Sequence, residues 1–277
     1  MIKQGIIRKD NYEELKNSDI FKEIENYSDD FLRLSREKLT EFADKWVQDP
    51  FHQWSRVYEY PFVISQIVKY ANSSSNKLKV LDAGSGISFA PYYLAENLEG
   101  IGVECCDYDD MLIEIFGSVN KLKDSNVKFF PADIRNIKQA DNTYDIIYCI
   151  SVLEHTDNYT DIIDEFNRIL KPGGILILTF DISIDGSADI PVAKAEQLLN
   201  KLETTFKNYN LEGSLDVVKE LDNEDLLLTT RYIKETNRSL LPWKYPYLMW
   251  LKTLSKGKMP KSFFRNLACY CGVFEKK

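Results

Sequence analysis

Residues 79–96, KVLDAGSGISFAPYYLAE, constrain the fold of this chain more than any other stretch. They read as a short apolar strand, a turn that contains two glycines, and a helix that begins near Ser88. Glycines let a ligand approach the backbone closely, and the first turn of a helix offers N–H groups that no other residue uses. The stretch is therefore typical of a site for a nucleotide-like ligand.

Apolar strands alternate with helices around that stretch. We expect strands over 79–82, 101–106, 127–130, 144–150 and 175–180. Helices are expected over 88–97, 110–119 and 160–170, and residues 172–174 (Pro-Gly-Gly) form a tight turn into the last strand. Nearly continuous apolar strands separated by helices predict a parallel sheet covered on both faces.

The flanking segments are less regular. Residues 1–27 are polar and interrupted, and a helix is expected from Ser28 as its N-cap to the Asp49-Pro50 pair. Its inward-facing positions recur at helical spacing and are Phe31, Ser35, Leu39, Phe42 and Trp46. After residue 181 we expect a helix over 192–208, a strand over 226–232 and a closing strand over 267–274.

Composition restricts the classes of partner, the location and the metal content that we expect for this protein. The net charge of −8 argues against a nucleic-acid groove, which usually needs a basic face. No apolar run approaches the length of roughly 18 residues that spans a membrane, and the N-terminus lacks an apolar signal region, so we expect a cytoplasmic protein. The five cysteines lie in apolar runs without the paired spacing of a zinc site and predict reduced core residues and no metal.

Two common nucleotide sites do not match the glycine turn. A dinucleotide fingerprint needs a third glycine where this chain has the bulky Phe89. A phosphate-binding P-loop needs Gly-Lys-Ser/Thr, which does not follow here. The neighbouring segments must therefore identify the ligand.

Five segments share the order of motifs in one known family. They are residues 80–86 (VLDAGSG), 105–112 (CCDYDDML), 130–134 (FPADI), 144–155 (YDIIYCISVLEH) and 170–176 (LKPGGIL). Over about residues 76–181 the chain thus resembles the class I S-adenosylmethionine-dependent methyltransferases, in their small-molecule branch. The resemblance implies S-adenosyl-L-methionine as cofactor and methyl transfer as the reaction.

The resemblance also implies which residues contact the cofactor. The backbone of residues 83–86 (Ala83, Gly84, Ser85 and Gly86) lies against the methionine part, and Asp82 serves its ammonium group or braces the turn. Asp107 is expected to accept both ribose hydroxyls, with Tyr108 beside it. Asp133 is expected to accept from the adenine amino group, while Ile134 packs on the ring. Ser151 approaches the methionine amine through its carbonyl.

The implied fold is α/β, a Rossmann-like, doubly wound, mostly parallel sheet of seven strands whose last strand is antiparallel. Residues 1–75 form a helical N-terminal extension or cap, and residues 76–182 form the cofactor-binding core. Residues 183–277 add a helix, a lid-like insertion and the closing strands. The aromatic run 241–247 (LPWKYPY) in that insertion is either a substrate lid or a surface for a second subunit, and a homodimer is possible.

The catalytic residues and the acceptor stay open at this stage. His155 and His52 are candidate general bases, with Glu154 and Asp181 as alternatives. In the aromatic segment 51–62, Arg56 and Tyr58 could cover the cofactor carboxylate, and Trp54 and Tyr60 could line the acceptor pocket. The same segment could instead be one face of a helix packed on the sheet.

The motifs of nucleic-acid amino methylation and of cytosine C5 methylation are missing, which favours a small soluble acceptor. Segment 52–61 (HQWSRVYEYP) resembles methyltransferases of bacterial glycan assembly and implies O-methylation of a sugar, a sugar nucleotide or an attached phosphate. The alternatives are O- or N-methylation of a hydrophobic metabolite, and a non-catalytic subunit that binds S-adenosylmethionine for regulation.

Overall fold

The computed structural model describes residues 2–40, 49–186, 190–209, 216–241 and 265–277. The predicted helical positions Phe42 and Trp46 and nearly all of the aromatic run 241–247 lie outside these residues. The predictions made for them are therefore not addressed by the structure.

The described residues form one mixed sheet of nine strands. The strands are β1 (Gly5–Ile6), β2 (Leu78–Ala83), β3 (Ile101–Asp107), β4 (Lys128–Pro131), β5 (Tyr144–Ile150), β6 (Leu170–Ser183), β7 (Ile190–Pro191), β8 (Phe206–Asn208) and β9 (Leu267–Lys276). The order across the sheet is β1-β9-β6-β5-β2-β3-β4, with β7 paired to β6 and β8 paired to β9. The carboxyl ends of parallel strands β2 to β6 share one edge, so residues that follow these strands are brought together there.

The last strand runs against the others. β9 pairs antiparallel with β6, and on its other side it pairs antiparallel with both β1 and β8. β1 meets β9 at Tyr270 and Cys271, whereas β8 meets it between Phe274 and Lys276. Two short strands therefore share the outer edge of β9, which otherwise would leave its backbone groups unpaired.

Helices cover both faces of the sheet. They are α1 (Lys9–Lys16), α2 (Asp19–Thr40), α3 (Arg56–Asn72), α4 (Ala90–Asn97), α5 (Leu112–Lys123), α6 (Tyr159–Ile169), α7 (Val192–Thr205), α8 (Val217–Leu221) and α9 (Thr230–Thr236). Within β2, Val80 packs with α2 to α5 on one face and the next residue, Leu81, packs with α6 and α7 on the other. The doubly wound, mostly parallel architecture with an antiparallel last strand is confirmed, with two short strands more than the seven expected.

The N-terminal helices differ from the prediction. α2 begins at Asp19, so Ser28 is buried inside the helix and is not its N-cap. The helical spacing of apolar residues over 31–39 is confirmed. The buried face of α2 extends further towards the N-terminus through Phe21 and Ile24. Tyr27 then donates a hydrogen bond to Glu96 (2.6 Å), which docks α2 on α4.

Two further expectations were wrong. The Pro-Gly-Gly turn lies inside β6, which advances five residues between Leu170 and Ile175 while β5 advances two. A side chain at Gly174 would come within 2.7 Å of the Asp145 carbonyl oxygen, so the bulge requires glycine there. Residues 226–232, predicted as a strand, instead contain the end of a short 3₁₀ turn and the start of α9. The Thr229 hydroxyl caps this helix by accepting a hydrogen bond from the Tyr232 N–H (3.2 Å).

The positions of the five cysteines and of Asp145 agree with the predictions from the sequence. All five cysteines are free and buried in the sheet. Asp145 accepts from the Lys79 backbone N–H (2.8 Å) and from the Lys171 ammonium (2.8 Å), so it ties neighbouring strands together at the edge opposite the strand carboxyl ends. The structural role predicted for Asp145 is confirmed.

Candidate active site at the strand carboxyl ends

A cavity of about 660 Å³ opens where the parallel strands end. Its wall comes from the segment before α3, from the start of α3, and from the residues that follow β2, β3, β4 and β5. The lining residues are Pro50, Gln53, Arg56, Tyr60, 84–88, Asp107, Tyr108, 132–135, 150–152 and 155–157. This volume is in the range of small-molecule and cofactor sites.

The glycine turn forms the floor of this cavity. Gly84 (φ +74°) and Gly86 (φ +49°) adopt left-handed backbone conformations that side chains disfavour. The Gly84 and Ser85 N–H groups donate to the Cys106 carbonyl at 2.8 and 3.0 Å, which fixes the turn against β3. A side chain at Gly84 would come within 2.6 Å of Val152, so the segment after β5 can close over the turn only because Gly84 is glycine.

Asp107 braces the same turn from the end of β3. Its Oδ2 accepts from the Gly86 N–H at 3.0 Å, and the side chain is nearly buried at the cavity wall. A carboxylate oxygen can accept more than one hydrogen bond, so Asp107 retains capacity for a ligand hydroxyl. Tyr108 beside it is 86% exposed, and its ring is available as a flat surface for a ligand.

Asp133, Ile134 and Arg135 form the wall after β4. Arg135 donates from Nε to Asp133 Oδ1 (2.9 Å) and from Nη2 to Oδ2 (2.5 Å), and its backbone N–H also donates to Oδ1 (2.9 Å). These hydrogen bonds from Arg135 lower the pKa of the Asp133 carboxyl. Sequence reasoning missed Arg135, although its position two residues after an acidic strand end is a signal for such a local pair.

Ser151 connects the cavity to a buried pair of charges. It follows β5 with a positive φ of 47°, and its hydroxyl donates to Glu59 Oε2 at 2.8 Å. Arg56 donates to the Ser151 hydroxyl and to Glu59 Oε1, the latter at 2.7 Å. Thr179 on β6 also donates to Glu59, so the first turn of α3 is bonded to two neighbouring strands.

Three acidic side chains surround Arg56. Burial opposes ionisation, but Glu59, Glu154 and Asp181 raise the pKa of Arg56, which stays cationic. Burial likewise acts against the charge of Glu59, yet Arg56 and the hydroxyl donors outweigh it and lower the pKa of Glu59. Burial raises the pKa of Glu154 to about 8, and the Arg56 cation only partly opposes this rise.

Asp82 and Ala83 lie behind the turn instead of in the cavity wall. Both are buried at the end of β2, directly before Gly84. Burial raises the pKa of the Asp82 carboxyl to about 8, the neighbouring Tyr148 hydroxyl opposes the rise, and the charge of Asp107 adds to it. Of the two roles expected for Asp82, the structure places it where it can brace the turn.

The two histidines have different positions. His155 ends the 3₁₀ turn after β5 and lines the cavity. His52 does not line it: Nδ1 lies 2.8 Å from Asp49 Oδ2, and Nε2 lies 3.3 Å from Glu25 Oε1. The hydrogen bond with Asp49 raises the pKa of His52 to about 9 despite partial burial, so at neutral pH this ring is an imidazolium and not a free base.

Tyr58 faces away from the cavity, contrary to expectation. Its hydroxyl donates to the Lys3 carbonyl at 3.1 Å, and its ring lines a different cavity on the other side of α3. Residues two apart on a helix point in nearly opposite directions, so Arg56 and Tyr58 could not share one ligand. Trp54 is buried elsewhere, whereas Tyr60, one turn after Arg56, does line the cavity, as do Gln53 and Asp157, which sequence reasoning missed.

Comparison with known proteins identifies the class to which this site belongs. Residues 81–178 match the family model described as "Methyltransferase domain". This match covers the glycine turn, Asp107, Asp133 and Ser151. Over residues 81–178 the chain is therefore similar to methyltransferase domains, as the five motifs predicted.

Individual relatives are more distant. The chain is similar to a ubiquinone biosynthesis O-methyltransferase of Rickettsia akari, with 27% identity over 43% of this chain and 46% of the relative. It is similar to an uncharacterised protein of Methanocaldococcus jannaschii, with 30% identity over 51% and 60% of the two chains. A sterol 24-C-methyltransferase of Schizosaccharomyces pombe is 24% identical over 73% and 54%. The matches thus span about half of the length of these relatives.

One solved structure shows the same fold. The crystal structure of the [4+2]-cyclase SpnF covers 78% of this chain and 81% of its own, with a TM-score of 0.52 and 17% identity. At this identity the similarity concerns the fold alone. Among the described residues, no helix is long and apolar enough to cross a membrane.

Proposed function

We propose that this chain is a methyltransferase that transfers the methyl group of S-adenosylmethionine to a small polar acceptor. One observation carries the proposal: the glycine turn, Asp107 and Ser151, which are far apart in sequence, meet at one cavity at the strand carboxyl ends. S-adenosylmethionine supplies an electrophilic methyl group on a sulfonium. The residues of the chain have to bind it, orient the acceptor and exclude water.

The cavity fits this cofactor in charge and shape. The Asp107 carboxylate suits the ribose hydroxyls, and Tyr108 and Ile134 suit the two faces of the adenine ring. Asp133 can serve the adenine amino group only alongside Arg135, which already uses both carboxylate oxygens. Each of those oxygens has a second acceptor position.

The other end of the cavity suits the amino-acid part. Arg56 is held as a cation at the wall and can pair with a carboxylate. The backbone of Ser151 and of the glycine turn can face the ammonium group. The carboxyls of Asp82 and Glu154, whose pKa values burial raises to about 8, would favour a positively charged ligand when they ionise.

The acceptor end is polar. Gln53, His155 and Asp157 line the cavity there, and a hydroxyl-bearing acceptor would find both donors and acceptors among them. This composition favours O-methylation of a sugar, a sugar nucleotide or an attached phosphate in glycan assembly. His155 is the proposed general base, since it is the histidine at the cavity and an imidazole accepts a proton near neutral pH.

The names of relatives favour a second candidate. A ubiquinone biosynthesis enzyme and a sterol methyltransferase imply acceptors that are hydrophobic metabolites. A third candidate is cofactor binding without methyl transfer.

The test is methyl transfer from isotopically labelled S-adenosylmethionine, with cofactor binding measured separately by calorimetry. Sugar nucleotides, phosphorylated sugars and small phenols are offered in parallel. Labelled sugar product supports the leading proposal, and a labelled phenol supports the second candidate. Binding without transfer to any acceptor favours the non-catalytic role, and no binding at about millimolar cofactor contradicts all three.

His155→Gln tests the general base. We expect turnover to fall roughly 100-fold with unchanged affinity for S-adenosylhomocysteine, because only proton removal is lost. His52→Gln is the matched control, since His52 does not line the cavity. Equal losses in the two variants would contradict a catalytic role for His155.

A further inference from the structure

Ser151 has an unusual backbone conformation for its residue type. Within the part of the chain that the structure describes, the residues other than glycine with a positive φ are Asp124, Asn142 and Ser151, whose φ is 47°. Aspartate and asparagine tolerate the left-handed region because their short polar side chains bond locally, whereas serine adopts it at a cost. Of these residues, Ser151 lines the candidate active site. A strained residue at a ligand cavity persists only where its surroundings hold it.

Thr179 on β6 holds the backbone of Ser151. The Ser151 N–H donates to the Thr179 carbonyl at 2.9 Å and to the Thr179 hydroxyl oxygen at 3.2 Å. The same hydroxyl donates its own proton to Glu59, which also accepts from the Ser151 hydroxyl at 2.8 Å. All three side chains are buried, so water competes little for these bonds. Thr179 does not line the cavity, and it therefore acts on the site through Ser151 and Glu59.

The conformation of Ser151 determines the direction of the chain after β5. The next residue, Val152, lies over the glycine turn, where a side chain on Gly84 would come within 2.6 Å of it. Rotation of Ser151 to an ordinary negative φ would turn its carbonyl and would move Val152 away from this contact. The Ser151 carbonyl is the group expected to meet the ammonium of the cofactor. One backbone angle therefore sets both the cover of the glycine turn and the direction of that carbonyl.

We propose that Thr179 is a positioning residue of the cofactor site, which holds Ser151 in the left-handed conformation and thereby directs the Ser151 carbonyl and Val152 towards the cofactor. This inference rests on the proposed function, because it takes S-adenosylmethionine as the ligand of the cavity. The hydroxyl of Thr179 is essential, since it accepts from Ser151 and donates to Glu59 at the same time. Valine has nearly the same shape and can do neither.

The test uses substitutions in the full chain, with the affinity for S-adenosylhomocysteine measured by calorimetric titration. We expect Thr179→Val to weaken binding about tenfold, because Ser151 relaxes out of the left-handed conformation. Thr179→Ser keeps the hydroxyl and should stay within about twofold of wild type. Thr230→Val is the matched control and should leave the affinity unchanged. Thr230 is equally buried, and its hydroxyl also makes two hydrogen bonds, but to the backbone of Arg265 and Leu267, which do not line the cavity.

Two further backgrounds separate positioning of Ser151 from a general structural role of Thr179. Ser151→Gly removes the side chain that disfavours a positive φ, so in this background Thr179→Val should weaken binding less than about twofold. Ser151→Ala removes the same hydroxyl but keeps Cβ, so in this background the loss should remain about tenfold. A threonine that serves the fold alone would be insensitive to the difference between glycine and alanine at position 151.

Two results would overturn the role of Thr179 while leaving the proposed function intact. They are full affinity of Thr179→Val, and equal losses in the Ser151→Gly and Ser151→Ala backgrounds. No binding of S-adenosylhomocysteine to the wild type at about millimolar concentration would overturn both the proposed function and this inference. If Thr179→Val does not fold, it is combined with Ser151→Gly, which removes the strain. A folded double variant that binds like Ser151→Gly alone supports the inference, and one that fails to fold overturns it.

Discussion

Glu59 accepts a hydrogen bond from the Ser151 hydroxyl at 2.8 Å, although 92 residues separate the two in sequence. Glu59 is fully buried, and Arg56 one turn earlier on α3 compensates its charge. The bond holds α3 against the end of β5 at the wall of the cavity. The position of Arg56 at the cavity therefore depends on a carboxylate that does not line it.

We expect Glu59→Gln to lower the free energy of unfolding by about 3 kcal/mol, because it removes the carboxylate that forms an ion pair with the Arg56 cation in a buried setting. Urea denaturation measures the loss. Glu13→Gln is the matched control, since Glu13 pairs with Lys16 at 3.1 Å on the surface and should change stability by less than about 0.5 kcal/mol. A small effect of Glu59→Gln would mean that water compensates Arg56.

Gly84→Ala should lower the free energy of unfolding by about 3 kcal/mol. The new methyl group would lie 2.6 Å from Val152, and the residue would have to hold a φ of +74°. Gly117→Ala in α5 has the opposite expectation, because nothing lies within 4 Å of its added methyl. It should raise stability by about 0.5–1 kcal/mol, since alanine favours a helix interior over glycine. Denaturation curves of both variants give the comparison.

Asp107→Asn should weaken the binding of S-adenosylhomocysteine by about 10- to 100-fold, because the charge-assisted bonds to the ribose become neutral. The control is Asp109→Asn, because Asp109 accepts from the Met111 N–H at 3.0 Å and is placed at the start of α5 instead of in the cavity. Calorimetric titration measures both. Equal affinities for the two variants would remove Asp107 from the cofactor site.

The stabilising contribution of His52 should depend on pH. Its folded pKa of about 9 lies above the ordinary value of 6.5 for histidine, since the hydrogen bond with Asp49 favours the charged ring. The contribution is therefore full below pH 6.5 and is lost as the pH rises through 9. The difference in unfolding free energy between wild type and His52→Gln should shrink over this window. The imidazole NMR signals of the two histidines in the sequence report the pKa directly.

Glu154 should show a dependence of the same sign over a lower pH range. Burial raises its folded pKa from 4.5 to about 8, so the folded state retains a proton that the unfolded state releases. The contribution of Glu154 to the free energy of unfolding therefore falls as the pH rises from 4.5 to 8. Glu154→Gln should match wild type near pH 4 and exceed it above pH 8. An unchanged difference across this range would show that Glu154 has the same pKa in the folded and unfolded states.

The sequence predicted the sheet well because the information is local there. Apolar runs such as 144–150 and 101–106 carry their own strand signal, and glycines and acids at their ends carry the motif signal. Tyr58 was misplaced because its direction depends on the phase of α3, which the dense run of aromatic residues obscures. His52 was misplaced because its partners, Asp49 and Glu25, are chosen by the packing of α2.

Features formed by distant segments left no recognisable signal. The two residues of β1 are too few for a periodic pattern, and only their pairing with β9 makes them a strand. The bond between Glu59 and Ser151 likewise follows from tertiary packing. For the same reason the sequence could indicate the cofactor, whose expected contacts lie in short motifs, but not the acceptor, for which no such motif exists.

The position of β9 has a consequence for biosynthesis. This strand, residues 267–276, lies inside the sheet. β6 pairs with it on one side, and β1 and β8 each pair with it on the other. While the chain is still on the ribosome, β6 has one open side and β1 has no partner at all. The sheet can close only after residues 267–276 have been translated, so the nascent chain passes through a stage in which an apolar strand edge is exposed to chaperones or to other nascent chains.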